Sequence, residues 1–119
     1  MMKVLSWNSR GLGHPSKIAA LGYLINHEKT EILLLQETKQ GRLEMKGIID
    51  KFKQYEGLLY ESRGAYGGLV TLWNHSVWRL KDNIINWNWI KVILENFEEN
   101  KKISIYNVYA SNHYRDKEQ

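Results

Sequence analysis

Two oxygen-bearing side chains stand at matching places in the sequence. Asn8 ends the short run at residues 3–8 (KVLSWN), and Glu37 follows directly on the run at residues 31–36 (EILLLQ). Each is the first polar group of a turn. In α/β folds the ends of neighbouring strands open onto the ligand crevice. If these two strands are neighbours, an amide and a carboxylate converge at one sheet edge, the hard-oxygen setting that Mg²⁺ or Mn²⁺ prefers. The alternative left open is that Glu37 caps the helix that follows and Asn8 shapes a turn. With no cysteine in 119 residues, a thiolate nucleophile, a thiolate zinc site and a disulfide framework are excluded. Arg10, in the first loop, suits a phosphate contact against the blander reading of an exposed loop side chain, and with Lys39, Arg42 and Arg63 it supplies the cations of a nucleic-acid-binding reading.

Placing Asn8 and Glu37 side by side requires a particular order of elements. Residues 3–8 read as a strand running into the glycine turn around Gly11 and Gly13. Ser16 then precedes Ile18, Leu21, Leu24 and Ile25, one apolar helical stripe, so a helix over about residues 16–27 with Ser16 as its cap is expected. Residues 31–36 are apolar almost throughout, as in a strand covered on both faces. Strand, helix and strand suggest a βαβ unit. Leu43, Met45, Ile48, Ile49 and Phe52 share a second helical face over residues 42–53. Beyond it the pattern shortens to period-two segments at residues 57–61, 67–73, 77–80, 89–95 and 102–109, parted by turn formers such as Gly67-Gly68, Asn74-His75-Ser76 and Asp82-Asn83. The halves read as βαβα followed by antiparallel β.

The composition agrees with one packed domain: 43% hydrophobic, 25% charged and 12% aromatic residues, five of them Trp. The formal charge of +4 leans toward an anionic partner such as nucleic acid, with no half of the chain forming a basic arm. No apolar stretch approaches the ~18 residues that span a bilayer, and the N-terminus lacks the apolar core of a signal peptide. No membrane association and an intracellular setting, nuclear or cytoplasmic, are expected. For Trp7, Trp73 and Trp89, sheet core outweighs base stacking.

The wording of four segments is more specific than their pattern: Ser6-Trp7-Asn8-Ser9-Arg10-Gly11-Leu12, Leu34-Leu35-Gln36-Glu37-Thr38, Gly67-Gly68-Leu69-Val70 and Tyr106-Asn107-Val108-Tyr109-Ala110. In this order they make the chain resemble the N-terminal part of the endonuclease/exonuclease/phosphatase superfamily. That group holds abasic-site endonucleases, nuclease domains of non-LTR retrotransposons, inositol polyphosphate phosphatases and neutral sphingomyelinases. The variants WNSRGLG and LLLQETK look most like plant LINE-type retrotransposon endonucleases. The resemblance implies a partial four-layer, DNase I-like α/β sandwich, with about one sheet and two helices from residues 1–119. It also implies DNA as partner and Mg²⁺ or Mn²⁺ as cofactor. By the same resemblance Glu37 is the direct metal ligand and Asn8 positions metal and phosphate. Tyr109 donates its hydroxyl toward the scissile phosphate or leaving group, and Asn107 shapes the same strand end.

Three departures bear on that expectation. Arg10 stands where some abasic-site enzymes carry an acid, and Ser111 replaces the family's usual Pro after Tyr109. The family's later Asp/Asn and Asp–His segments have no counterpart here, and His113 reads as a solvated tail residue. One carboxylate, one amide and one phenol hold hydrated Mg²⁺ poorly, so weak metal binding and doubtful activity are expected of this fragment of a DNA-nicking phosphodiesterase. A one-sheet product would leave Leu5, Trp7, Leu33, Leu35, Leu69, Leu72, Ile93, Ile105 and Val108 uncovered and prone to non-specific self-association. The rival readings are a non-catalytic nucleic-acid-binding remnant and a phosphoesterase for inositol phosphates or sphingomyelin. The RGLG and QETK wording argues against the latter.

Overall fold

A computed structural model describes residues 2–63, 66–96 and 98–109. Ser111 and His113 lie outside the described residues. The elements follow as β1 (Val4–Asn8), α1 (Pro15–Asn26), β2 (Ile32–Gln36), α2 (Arg42–Ile49), β3 (Tyr55–Tyr60), β4 (Leu69–Asn74), β5 (Trp78–Ile85), β6 (Trp89–Asn96) and β7 (Lys101–Val108). β1 and β2 pair in parallel across α1, with Asn8 opposite Gln36. β4 then pairs antiparallel with β2, and β3 lies outside it, giving the order β1-β2-β4-β3. β5, β6 and β7 form a second, antiparallel meander.

The α/β class stands, and its strands divide over two sheets where about one was expected. The alternation of side chains shows why both sheets are needed. On β2 and β4, Leu33, Leu35, Val70 and Leu72 face the helices, meeting Leu21 and Ile25 of α1 and Met45 and Ile48 of α2. Their neighbours Ile32, Leu69 and Trp73 face the other way, onto Trp78, Ile90, Val92 and Leu94 of the second sheet. A strand buried on both faces must carry apolar residues at every position, as EILLLQ does. The described layers are therefore helices, sheet and sheet.

Most of the residues expected to lie bare are covered. Leu33, Leu35, Leu69 and Leu72 are fully buried, and Trp7 and Ile105 pack against the two cores. Apolar surface remains on the outward side of the second sheet, where Tyr106 and Val108 stand about half exposed.

Three local expectations are corrected. α1 is capped by His14, whose Nδ1 accepts the Ser16 N–H at 3.1 Å, and Pro15 takes the first helical position where a missing N–H costs nothing. α2 ends at Ile49; Lys51 and Phe52 donate three residues back, to Ile48 and Ile49, so Phe52 keeps its place in the core from a turn. Asp82-Asn83 is no turn but part of β5, whose register shifts between Leu80 and Asp82. No helix of the described residues is long and apolar enough to cross a membrane.

Candidate functional site

The parallel pairing of β1 and β2 delivers Asn8 and Glu37 to adjoining strand ends. The ladder continues past both strands: Ser9 N–H donates to Gln36 O (3.0 Å), Gly11 N–H to Glu37 O (2.7 Å) and Leu12 N–H to Thr38 O (2.9 Å). On the other side of the second loop, Lys39 N–H donates to Gly67 O at 3.0 Å and Thr38 N–H to Gly68 O at 3.3 Å. The backbone at Glu37 is thus clamped between the loop after β1 and the glycine pair before β4. Lys17 steadies the first loop, with Nζ donating to Ser9 O at 2.6 Å.

Backbone strain gathers at the same end. Six of the eight described residues with positive φ lie here: Arg10, Gly11, Glu37, Lys39, Gly67 and Gly68. A non-glycine residue held left-handed costs about 1–2 kcal/mol, and such positions concentrate at functional sites. Glu37 has φ +50° and is only 6% exposed. It does not cap α2, whose N-cap is Gly41. Asn8 does shape its turn: its Oδ1 accepts the Arg10 N–H at 3.2 Å, and the residue stays exposed.

Asn8 and Gln36 share the inward face of the first sheet and, with Asn107 of β7, line a cleft of about 290 Å³ between the two sheets. Gln36 Nε2 donates to Asn107 Oδ1 at 2.8 Å and to Ser6 Oγ at 3.0 Å. Asn107 is 1% exposed, and its own Nδ2 donates to Leu35 O (3.2 Å) and Val70 O (3.0 Å). This amide ties β7 onto β2 and β4. The role of Gln36 was not read from the sequence; a polar residue at an inward position closing an apolar run was the available signal.

Tyr109 lies in a neighbouring depression, beside Tyr60, Gly67, Gly68 and Trp87, and its N–H donates to Asn88 O at 2.7 Å. Arg10 and Lys39 are exposed on the two clamped loops. Arg42 starts α2, with its N–H on Glu61 Oε2 at 3.1 Å, and Arg63 lines the Tyr109 depression. Arg10, Lys39 and Arg63 therefore stand at the end of the sheet that holds Glu37, while Arg42 borders the groove along β3. Among the described residues no three His, Cys, Asp or Glu side chains gather as a metal-binding group.

No protein-family model and no curated protein matches this sequence. Solved structures do resemble it. An abasic-site endonuclease from Leishmania major superposes with a TM-score of 0.70 at 19% identity, covering 92% of this chain and 40% of its own. The 3′ phosphatase NExo from Neisseria, bound to a product DNA hairpin, gives 0.72 at 17%, covering 100% and 48%. D. rerio TDP2, complexed with a single-strand DNA product, gives 0.68 at 12%, covering 94% and 48%. The chain spans less than half the length of each. At such identities the likeness speaks for architecture alone, that of a DNase I-like α/β sandwich.

Proposed function

We propose that residues 1–119 form the N-terminal part of a DNA-acting phosphodiesterase, of the retrotransposon endonuclease type on the wording of its WNSRGLG and LLLQETK segments. One observation carries this: Asn8 and Glu37 stand at adjoining strand ends, held by strained loops that carry Arg10 and Lys39, with Arg63 in the neighbouring depression and Arg42 at the start of α2. In this reading these cations bind backbone phosphates and fix their register. The Tyr109 hydroxyl donates to a phosphate oxygen at the neighbouring depression, and Asn107 holds the strand end that presents Tyr109. The abasic-site endonuclease and the two DNA-product complexes among the similar structures support the substrate class. The absence of cysteine suits a reducing, nuclear or cytoplasmic compartment.

The donor set matches Mg²⁺ or Mn²⁺ in kind and falls short in number. Glu37 offers a carboxylate and Asn8 an amide oxygen that already accepts the Arg10 N–H, while Mg²⁺ demands near-octahedral oxygen ligation. Metal binding by this chain alone is therefore weak, and cleavage by it alone is not expected.

DNA binding measured by anisotropy at constant ionic strength tests the reading. The native chain should bind a short duplex with affinity that falls steeply as salt rises and increases when Mg²⁺ is added. Glu37→Gln should keep the salt dependence and lose the Mg²⁺ increment. Absence of binding at low salt would overturn the proposal. Mg²⁺-indifferent binding would favour a non-catalytic nucleic-acid binder, a second reading that the burial of Glu37 and the committed amide of Asn107 support.

A further inference from the structure

The depression beside Tyr109 holds more aromatic surface than a phosphate contact requires. Tyr60, Tyr66, Trp87 and Tyr109 line it together with Glu61 and Arg63, around a cavity of about 320 Å³. Tyr66 is 75% exposed and Trp87 62% exposed, so neither ring serves the core. The backbone at both positions is nonetheless held in place. Trp87 sits in the turn between β5 and β6, where Asn86 Oδ1 accepts the N–H groups of Asn88 and Trp89 at 2.9 Å each and Asn86 N–H donates to Trp89 O at 3.0 Å. Tyr66 faces Arg63 across a narrow bridge with reciprocal backbone bonds of 2.9 and 3.1 Å.

We infer that this cavity is a binding site for an unpaired nucleobase, resting on the reading of the chain as a DNA-acting protein. Aromatic faces stack on bases that have left the helix, whereas a duplex offers a side chain only base edges and phosphates. The volume lies at the lower end of the ~300–1,000 Å³ usual for small-ligand sites, which suits one base and not a base pair. Arg63 sits at the lip with Nη2 3.5 Å from the Tyr60 hydroxyl, placed to meet the phosphate of the same nucleotide. The Glu61 carboxylate repels phosphate from the interior and accepts from ring or exocyclic N–H groups. Because the backbone carrying both rings is fixed before binding, only side-chain ordering opposes stacking. The site contains Gly67 and Gly68, the pair that clamps the loop carrying Glu37, so a base seated here brings its strand to the proposed reaction end.

The test compares residues 1–119 binding a short oligothymidylate with an abasic sugar-phosphate strand of equal length. Tryptophan quenching and anisotropy are the readouts. The native chain should prefer the base-bearing strand about ten-fold. Trp87→Ala and Tyr66→Ala should each abolish that preference without weakening the abasic strand, and Trp87→Phe should retain most of it. Both rings are exposed, so folding is not at stake. Equal affinity for the two strands would overturn the base site and leave the phosphodiesterase reading standing, since phosphate contacts would still bind both. Binding of neither strand would overturn both proposals.

Discussion

At Gly68 the space for a side chain is already occupied. A Cβ there would overlap Thr38 Oγ1 and come within 3.1 Å of the Lys39 amide nitrogen, and φ is +98°. At the adjacent Gly67 φ is +73°, with nothing within 4 Å of the same added atom. The two glycines therefore separate conformational strain from close approach. Gly67→Ala should cost about 1–2 kcal/mol, the left-handed penalty alone. Gly68→Ala adds a collision with the loop that carries Glu37, and should cost about 2 kcal/mol more than its neighbour. Urea unfolding of both variants measures the difference. Equal losses would mean that the loop after β2 can move away from β4, and the clamp on Glu37 would not be rigid.

Between elements, Tyr55 shows how a strand is fastened to a loop. Its hydroxyl, at the start of β3, donates to the Thr30 carbonyl ahead of β2. Burial, and after it the Glu31 carboxylate, raises the phenol above its usual 10.0. A raised phenol stabilises the fold fully below the unfolded value and loses that contribution as pH climbs through the folded one. Stability should therefore decline above pH ~10, and Tyr55→Phe should show a shallower decline across that window in melts followed by circular dichroism. An unchanged profile would discount the Tyr55 clasp. The same elements show what the sequence makes legible. Unbroken apolar runs identify strands between two layers, which is why β2 and the meeting of Asn8 with Glu37 are readable. The bulge in β5 shifts the alternation at Leu80, so the period-two pattern stops five residues before the strand does. In α2 the apolar spacing outlives the helix because Phe52 reaches the same core from a turn. Gln36 escapes notice since its partner Asn107 stands 71 residues away, and no local pattern reports a facing sheet. The left-handed backbone of Glu37 is likewise a product of the two loops that grip it.

Taken whole, the molecule measures 48 × 32 × 23 Å, and among the described residues its two sheets end in four lateral edge strands. Three carry their own deterrents. β3 is flanked by Arg42, Lys46, Asp50 and Glu56; β5 exposes Arg79, Lys81 and Asp82 beside its bulge; β7 begins with exposed Lys101 and Lys102. Among the described edge strands only β1, VLSWN, has no charged residue within or lining its edge apart from Lys17 over Trp7, between an apolar groove against α1 on one face and the inter-sheet cleft on the other. This asymmetry decides what kind of association residues 1–119 can undergo. A uniquely sticky edge has no complementary edge elsewhere to grow onto, so it can be satisfied only by its own image across a two-fold axis, which terminates at two subunits. Sedimentation velocity should accordingly find monomer passing to dimer with concentration, Ser6→Lys should hold it at monomer, and a ladder of larger species would refute the argument. Self-recognition, on this geometry, is self-limiting: the strand that begins the fold permits pairing and forbids fibres.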